Sequence, residues 1–252
     1  MSNMFSLENK IAIVTGGNAG LGRAIALALA EAGADIAVVS RRGAEEMEKE
    51  VKALGREFLH VSADLSDTAA AGEVVAQTLE KFGKIDILVN NAGIIRREDS
   101  LSFSEKDWDE VMNVNTKTLF FLSQAVANQM VKQGRGGKII NTASLLSFQG
   151  GIRVPSYTAS KSAVKGLTML MANEWAKYGI NVNAVAPGYM ETDNTAPLRA
   201  DEKRYKEIVD RIPMGRWGKP EDLAGTYVYL ASAASDYVTG YTIAVDGGWL
   251  GR

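Results

Sequence analysis

Tyr157 and Lys161 stand four residues apart in Ser156-Tyr157-Thr158-Ala159-Ser160-Lys161, and a helical reading of this stretch puts both side chains on one face. A free phenol has a pKa of about 10, so exchanging a proton near neutral pH asks for a value roughly 2 to 3 lower. A fixed ammonium beside the phenol acts in that direction. Ser144 lies upstream, just after an apolar strand-like run, where its hydroxyl can reach the oxygen that Tyr157 protonates. The three side chains together read as acid catalysis on a carbonyl.

A second stretch offers binding rather than proton transfer. Thr15-Gly16-Gly17-Asn18-Ala19-Gly20-Leu21-Gly22 follows the apolar run Lys10 to Val14 and opens an Ala/Leu-rich helical pattern to Ala32. Strand, glycine loop and helix in this order make a pyrophosphate cradle, because glycine lets the backbone come close and the free N–H groups of the helix start attract negative charge. The spacing Gly16, Gly20, Gly22 departs from G-x-G-x-x-G. The next strand, Asp35 to Val39, ends in Ser40-Arg41-Arg42, where a dinucleotide fold places its reader of the adenosine ribose. No acid stands there to bind a 2′-hydroxyl, while arginine attracts a 2′-phosphate, so NADP(H) is expected, with NAD(H) as the alternative.

The elements that must position these groups alternate along the chain. Strands are expected over Glu57 to Ser62, Ile85 to Val89, Lys138 to Thr142, Asn181 to Ala186 and Tyr241 to Val245, each after a helical segment. The helices run over Ala44 to Arg56, from Ser66 or Asp67 to Phe82, from the capping box at Ser104 to about Gly134, from the Tyr157 stretch to about Tyr178, and from Pro220 to about Ala231. Such alternation gives an α/β fold: a Rossmann-type, doubly wound parallel sheet of about seven strands with helices on both faces, in one domain over 1–252. Asp64-Leu65 after the third strand can reach an adenine. Asn90-Asn91-Ala92-Gly93 follows the fourth, and Pro187-Gly188 breaks the sixth at the end where ligands of open sheets sit. Asn115 falls inside a long apolar helix, so it either mends a backbone irregularity or serves a site. His60 is expected to pack within its strand. The polar connection Tyr189 to Gly218, with a charged helical piece over Arg199 to Ile212, suits a substrate lid.

Composition narrows the chemistry. The 252 residues carry 46% hydrophobic and 23% charged side chains and a net charge of -2, with no basic footprint for nucleic acid. The absence of cysteine removes disulfides and thiolate chemistry, and a single histidine removes multi-histidine metal sites and a histidine-based triad, so no metal is expected. Met1 to Lys10 lacks the order of a signal peptide and no apolar run reaches the length of a membrane span, which points to a cytoplasmic protein acting on a small molecule. The four tryptophans are scattered and read as core or interface.

Taken together, Thr15 to Gly22, Asn90-Asn91-Ala92-Gly93, Asn115, Ser144, Tyr157, Lys161 and Pro187-Gly188 resemble the short-chain dehydrogenase/reductase family across essentially the whole chain. The resemblance implies Tyr157 as general acid/base, Ser144 polarising the substrate oxygen, Lys161 on the nicotinamide ribose, and Asn115 holding a water in a proton relay. It also implies Pro187, Gly188 and Thr192 along the nicotinamide and pyrophosphate, and Asn91, Ala92 and Gly93 along the adenosine-side ribose. A homotetramer, built through the helices of Asn115 and Tyr157 and the C-terminal strand region, is implied as well. Leu145 to Lys161, Met171 to Thr195, Arg211 to Gly218 and Ser235 to Arg252 resemble the branch that interconverts 2-dehydro-3-deoxy-D-gluconate and 3-deoxy-D-glycero-2,5-hexodiulosonate in uronate breakdown. Members of that branch use NAD(H), whereas Ser40-Arg41 resembles the NADP-using branch. Arg153 is the expected partner of the sugar-acid carboxylate, with Arg96 and Arg97 as alternatives. A 3-oxoacyl carrier-protein reductase, another sugar or polyol dehydrogenase and a non-catalytic dinucleotide-binding regulator are the competing readings.

Overall fold

The computed structural model describes residues 3–252; Met1 and Ser2, part of the start read above for a leader, lie outside them. Seven parallel strands form one sheet in the order β3-β2-β1-β4-β5-β6-β7, with β1 at Ile11–Thr15, β2 at Asp35–Ser40, β3 at Phe58–Ser62, β4 at Ile87–Asn90, β5 at Gly137–Thr142, β6 at Ile180–Pro187 and β7 at Thr242–Val245. The expected doubly wound sheet is present, with strand ends displaced by one or two residues. The central strands are apolar on both faces because helices cover both: β1 and β4 are buried at every position.

Alternation along each strand divides the core. Ala12 and Val14 face the layer of α1 (Gly20–Glu31), α2 (Glu45–Ala53) and α9 (Glu221–Ala231), where Ile25, Met47 and Tyr227 are fully or almost fully buried. Ile13 faces the opposite layer of α3 (Ala70–Phe82), α5 (Leu119–Gln133) and α6 (Pro155–Trp175), against Val74, Val126 and Met171. A buried amide ladder ties that second layer to the sheet. Asn90 Nδ2 donates to Ser123 Oγ and Asn141 Oδ1, both at 2.9 Å, and Asn141 Nδ2 donates to Thr168 Oγ1 at 2.9 Å.

Two expectations need correction. The helix expected from Ser104 to Gly134 is interrupted: α4 (Glu105–Met112) and α5 are joined by a π-helical turn over Asn113–Thr118 that contains Asn115. The charged piece of the long connection is two helices, α7 (Ala196–Ala200) and α8 (Glu202–Arg211), because the extended residue Asp201 separates them and caps α8 through the Arg204 N–H. His60 lies in β3 as expected and is half-buried.

Candidate active site

The strand order reverses between β1 and β4, so the loops after these two strands part to opposite sides of a crevice at the carboxyl edge of the sheet. A cleft of about 740 Å³ opens there. Its floor is the glycine loop. Gly16 and Gly20 hold φ of +64° and +52°, and a Cβ on Gly22 would lie 2.1 Å from the Gly16 carbonyl oxygen and 2.5 Å from Asn91 Nδ2. Asn91 is what closes the loop. Its Nδ2 donates to Thr15 O at 3.0 Å and lies 3.4 Å from Gly16 O, while the N–H groups of Asn91 and Ala92 donate to Thr15 Oγ1 at 3.0 and 2.9 Å. The Asn91 side chain therefore shapes the cradle, while Asn91, Ala92 and Gly93 line the cleft. Gly20, Leu21 and Gly22 open α1, whose N-cap Ala19 supplies no side-chain bond, so the first N–H groups of the helix are not capped from within.

The chemical end lies where β5 and α6 meet. Ser144 leaves β5 in extended conformation and caps a short helical turn over Leu145–Ser147. Pro155 starts α6, which carries Tyr157 and Lys161 on the cleft side. Lys161 is only 4% exposed; its Nζ donates to Thr142 O at 2.6 Å and lies 5.6 Å from the centre of the Tyr157 ring. The expected lowering of the phenol by this ammonium is not what the geometry produces. Burial pushes the Tyr157 phenol up, a hydrogen bond with Ser144 and the Arg97 charge pull it part of the way back, and Lys161 is committed to a carbonyl. Burial also brings the Lys161 ammonium down to about 8.

The Asn115 amide mends the backbone at the irregular turn. Its Oδ1 accepts from Ile94 N at 2.8 Å, and its Nδ2 donates to Ile94 O at 2.9 Å and Ser160 Oγ at 3.2 Å. The amide thus fastens the loop after β4 to the turn before Lys161. Gly93 has no room to spare there: a Cβ would lie 3.3 Å from Asn115 Oδ1 and 3.8 Å from Lys161 Nζ. Pro187, Gly188 and Thr192 line the opposite wall, and Gly188 packs so tightly that a Cβ would lie 2.6 Å from the Asp246 Cα.

Not every expected residue reaches the cleft. Asn18 turns its amide to Gly43 O at 3.5 Å, and Asp64 accepts from the Ser66 N–H at 3.0 Å outside the cleft wall. Leu65 lines a separate small void behind Ala92. Ser40 is buried; its Oγ donates to Arg42 O at 2.7 Å and stands 3.0 Å from His60 Nε2. That bond bends the chain so that Arg42, and not Arg41, lines the cleft. Arg153 is displaced furthest from its expected role: it sits at φ +60°, its side chain is 64% exposed, and its nearest acid is Glu98 at 3.9 Å. Arg96 is held by Glu110 at 2.7 Å and Asp107 at 3.5 Å. Of the three candidates only Arg97 lines the cleft.

A family model described as Enoyl-(Acyl carrier protein) reductase matches residues 16–250. The chain belongs to the short-chain dehydrogenase/reductase family. Among curated members of this family, the 2-dehydro-3-deoxy-D-gluconate 5-dehydrogenase of Dickeya dadantii (strain 3937) is 64% identical over 250 residues, 99% of either chain. The enzyme of the same name from Escherichia coli (strain K12) is 64% identical over 248 residues, 98% of either chain. A solved structure from Agrobacterium tumefaciens, described as a candidate 2-deoxy-D-gluconate 3-dehydrogenase with bound NADP, is 56% identical, covers 100% of both chains and superposes with a TM-score of 0.93.

In this short-chain dehydrogenase/reductase chain, one wall of the cleft lies outside the motifs legible in the sequence. Trp249, read as core or interface, is buried and lines the cleft, and its Nε1 donates to Gln149 Oε1 at 3.2 Å. Tyr189 packs on it with ring centres 4.7 Å apart, and Arg211 lies 4.0 Å above its ring. Arg204 and Glu207 of α8 complete that wall. The signal available in sequence was the amphipathic α8, with Arg204, Ile208 and Arg211 on one face.

Proposed function

We propose that this protein is an NADP(H)-dependent dehydrogenase of a six-carbon deoxy sugar acid, interconverting 2-dehydro-3-deoxy-D-gluconate and 3-deoxy-D-glycero-2,5-hexodiulosonate. The observation that carries this reading is the 64% identity over the full length to enzymes named for that reaction, joined to a cleft that holds Ser144, Tyr157 and Lys161 together. The glycine cradle fits a dinucleotide: Gly22 lets the start of α1 close onto the Gly16 carbonyl, and Gly16, Gly20 and Gly22 line the cleft with backbone where a pyrophosphate can approach. When bound, the nicotinamide supplies or accepts the hydride. The Arg42 guanidinium suits a 2′-phosphate, and the NADP-bound relative supports the same choice.

Each catalytic role follows from position. Ser144 and Tyr157 offer two hydroxyls to one substrate oxygen. A phenol kept above its ordinary value is a protonated acid at neutral pH, which suits donation to a carbonyl oxygen as the ketone is reduced. In the oxidative direction the same oxygen must first lose its proton and then take one from the substrate hydroxyl. Lys161 holds a positive charge beneath the ring, and Asn115 keeps the loop after β4 fixed against Lys161. Residues 189–218 serve as a lid over the substrate end of a single catalytic domain spanning 1–252.

The protein acts in the cytoplasm, a reading supported by a sequence without cysteine. A homotetramer is supported by exposed apolar side chains on the long helices and near the last strand, among them Phe121, Met169, Leu170 and Tyr241.

The reading is tested by initial-rate nicotinamide absorbance with the hexodiulosonate, NADPH and NADH in parallel, and 3-oxoacyl carrier-protein substrates as the competing arm. Turnover of the sugar acid with NADPH preferred is expected. Tyr157→Phe should abolish turnover while NADPH still binds; unchanged turnover removes Tyr157 from the chemistry.

A further inference from the structure

We infer that Arg211, on the lid helix α8, is the anchor for the substrate carboxylate. The inference deepens the sugar-acid reading and rests on it. A sugar acid needs a cation at the substrate end of the cleft, and five arginines other than Arg42 are placed near it. Arg96 is neutralised by Glu110 and Asp107, and Arg153 stands outside the wall. Arg204 faces Glu207 at 3.1 Å on its own helix. Arg97 also lines the cleft, and its charge already acts on the Tyr157 phenol.

Arg211 meets the remaining conditions. It lines the cleft, and among the described residues no carboxylate lies within ion-pair distance of it. Its guanidinium lies 4.0 Å above the Trp249 ring, so the plane is oriented while its N–H edges stay available for a bidentate bond. The platform is itself fixed. Trp249 Nε1 donates to Gln149 Oε1, and since an indole N–H only donates, the amide oxygen of Gln149 faces it and the NH2 group is left as a second donor on the same wall. Leu145, next to Ser144, packs in one buried cluster with Ile208, Ile212 and Trp249, which ties the position of Arg211 to that of the catalytic serine. Arg252 Nη1 donates to the carbonyls of Asp210 and Arg211 at 3.1 and 3.4 Å and secures the end of α8 on which Arg211 sits.

The test uses D-gluconate and its uncharged isostere D-gluconamide as probes, titrated calorimetrically into the NADP-loaded full chain, beside steady-state turnover of the hexodiulosonate. The wild type is expected to bind gluconate more tightly than gluconamide. Arg211→Gln should lose that discrimination and raise the Michaelis constant for the hexodiulosonate by about 10 to 100-fold, as for a lost charge-assisted bidentate pair, with the constant for NADPH unchanged. Arg211→Lys, which keeps the charge and loses the fork, should fall between. Arg153→Gln should discriminate as the wild type does. Equal binding of the two probes by the wild type, or undiminished discrimination in Arg211→Gln, overturns the inference; in the second case hexodiulosonate turnover leaves the sugar-acid reading standing. Discrimination lost in Arg211→Gln, in a protein that turns over no hexodiulosonate, keeps the carboxylate anchor and removes that reading.

Discussion

Replacing Lys161 with methionine removes a buried ammonium and leaves its aliphatic stem, which makes the cost of keeping that charge measurable. The Lys161 Nζ is buried with one partner, the Thr142 carbonyl, and burial lowers its pKa from an ordinary 10.5 to about 8. A folded-state value below the unfolded one penalises folding wherever the amine must be protonated. At pH 7 that penalty is about 3 kcal/mol, it stays whole below pH 8, and it vanishes as pH rises to 10.5, where the unfolded chain also gives up the proton. Methionine escapes the penalty but leaves Thr142 O without its donor, which costs about 1–2 kcal/mol at any pH. The variant is therefore expected to be more stable than the wild type by about 1–2 kcal/mol at pH 7, or roughly 2–8 °C in melting temperature for a chain of this size, and to become the less stable of the two near pH 10.5. Thermal unfolding of both proteins without cofactor, at steps from pH 7 to 10.5, reads the difference, since every other titrating group is shared. A stability gap that keeps its sign and size across this range refutes the argument. The same variant should have lost turnover, because a residue that costs stability here is kept for chemistry.

The remaining expectations concern the cleft. Gly22→Ala drives a Cβ to 2.1 Å from the Gly16 oxygen, so it should cost about 2–3 kcal/mol of stability by urea titration and weaken NADPH binding; a silent substitution would mean that the loop is looser than its contacts indicate. Arg42→Gln should reduce the preference for NADPH over NADH by roughly 10 to 100-fold in calorimetric titration, with Arg41→Gln doing less, and the reverse order would return the phosphate to Arg41. Oxidation of the hydroxy acid should accelerate with pH between 7 and 9, by up to about tenfold per pH unit if chemistry limits the rate, because the raised Tyr157 phenol must give up its proton first; a flat profile contradicts that assignment.

The strands and their order of chemistry were legible because local signals agreed. Apolar runs marked the buried strands, glycines at the first turn marked the cradle, and a four-residue spacing on a helix brought Tyr157 and Lys161 to one side. The family, too, could be read from motifs that lie on separate elements. What sequence could not supply were facts fixed by contacts between elements far apart in the chain. The Ser40 hydroxyl on the Arg42 carbonyl decides which of two adjacent arginines faces the cleft. The π-helical turn at Asn115 exists because its amide serves Ile94 and Ser160, one residue upstream by 21 positions and the other downstream by 45. Tyr157 and Lys161 are neighbours by helical geometry alone, but the direction of their titration is set by how deeply both are buried, with Ser144 and Arg97 acting against burial at the phenol. Trp249 carries no local mark of function; it reaches the cleft because the C-terminal segment folds back over Gln149, 100 residues earlier in the chain. Period and spacing act within one element and survive in the sequence, while charge balance, burial and the choice among similar side chains are sums over neighbours that only the closed fold brings together.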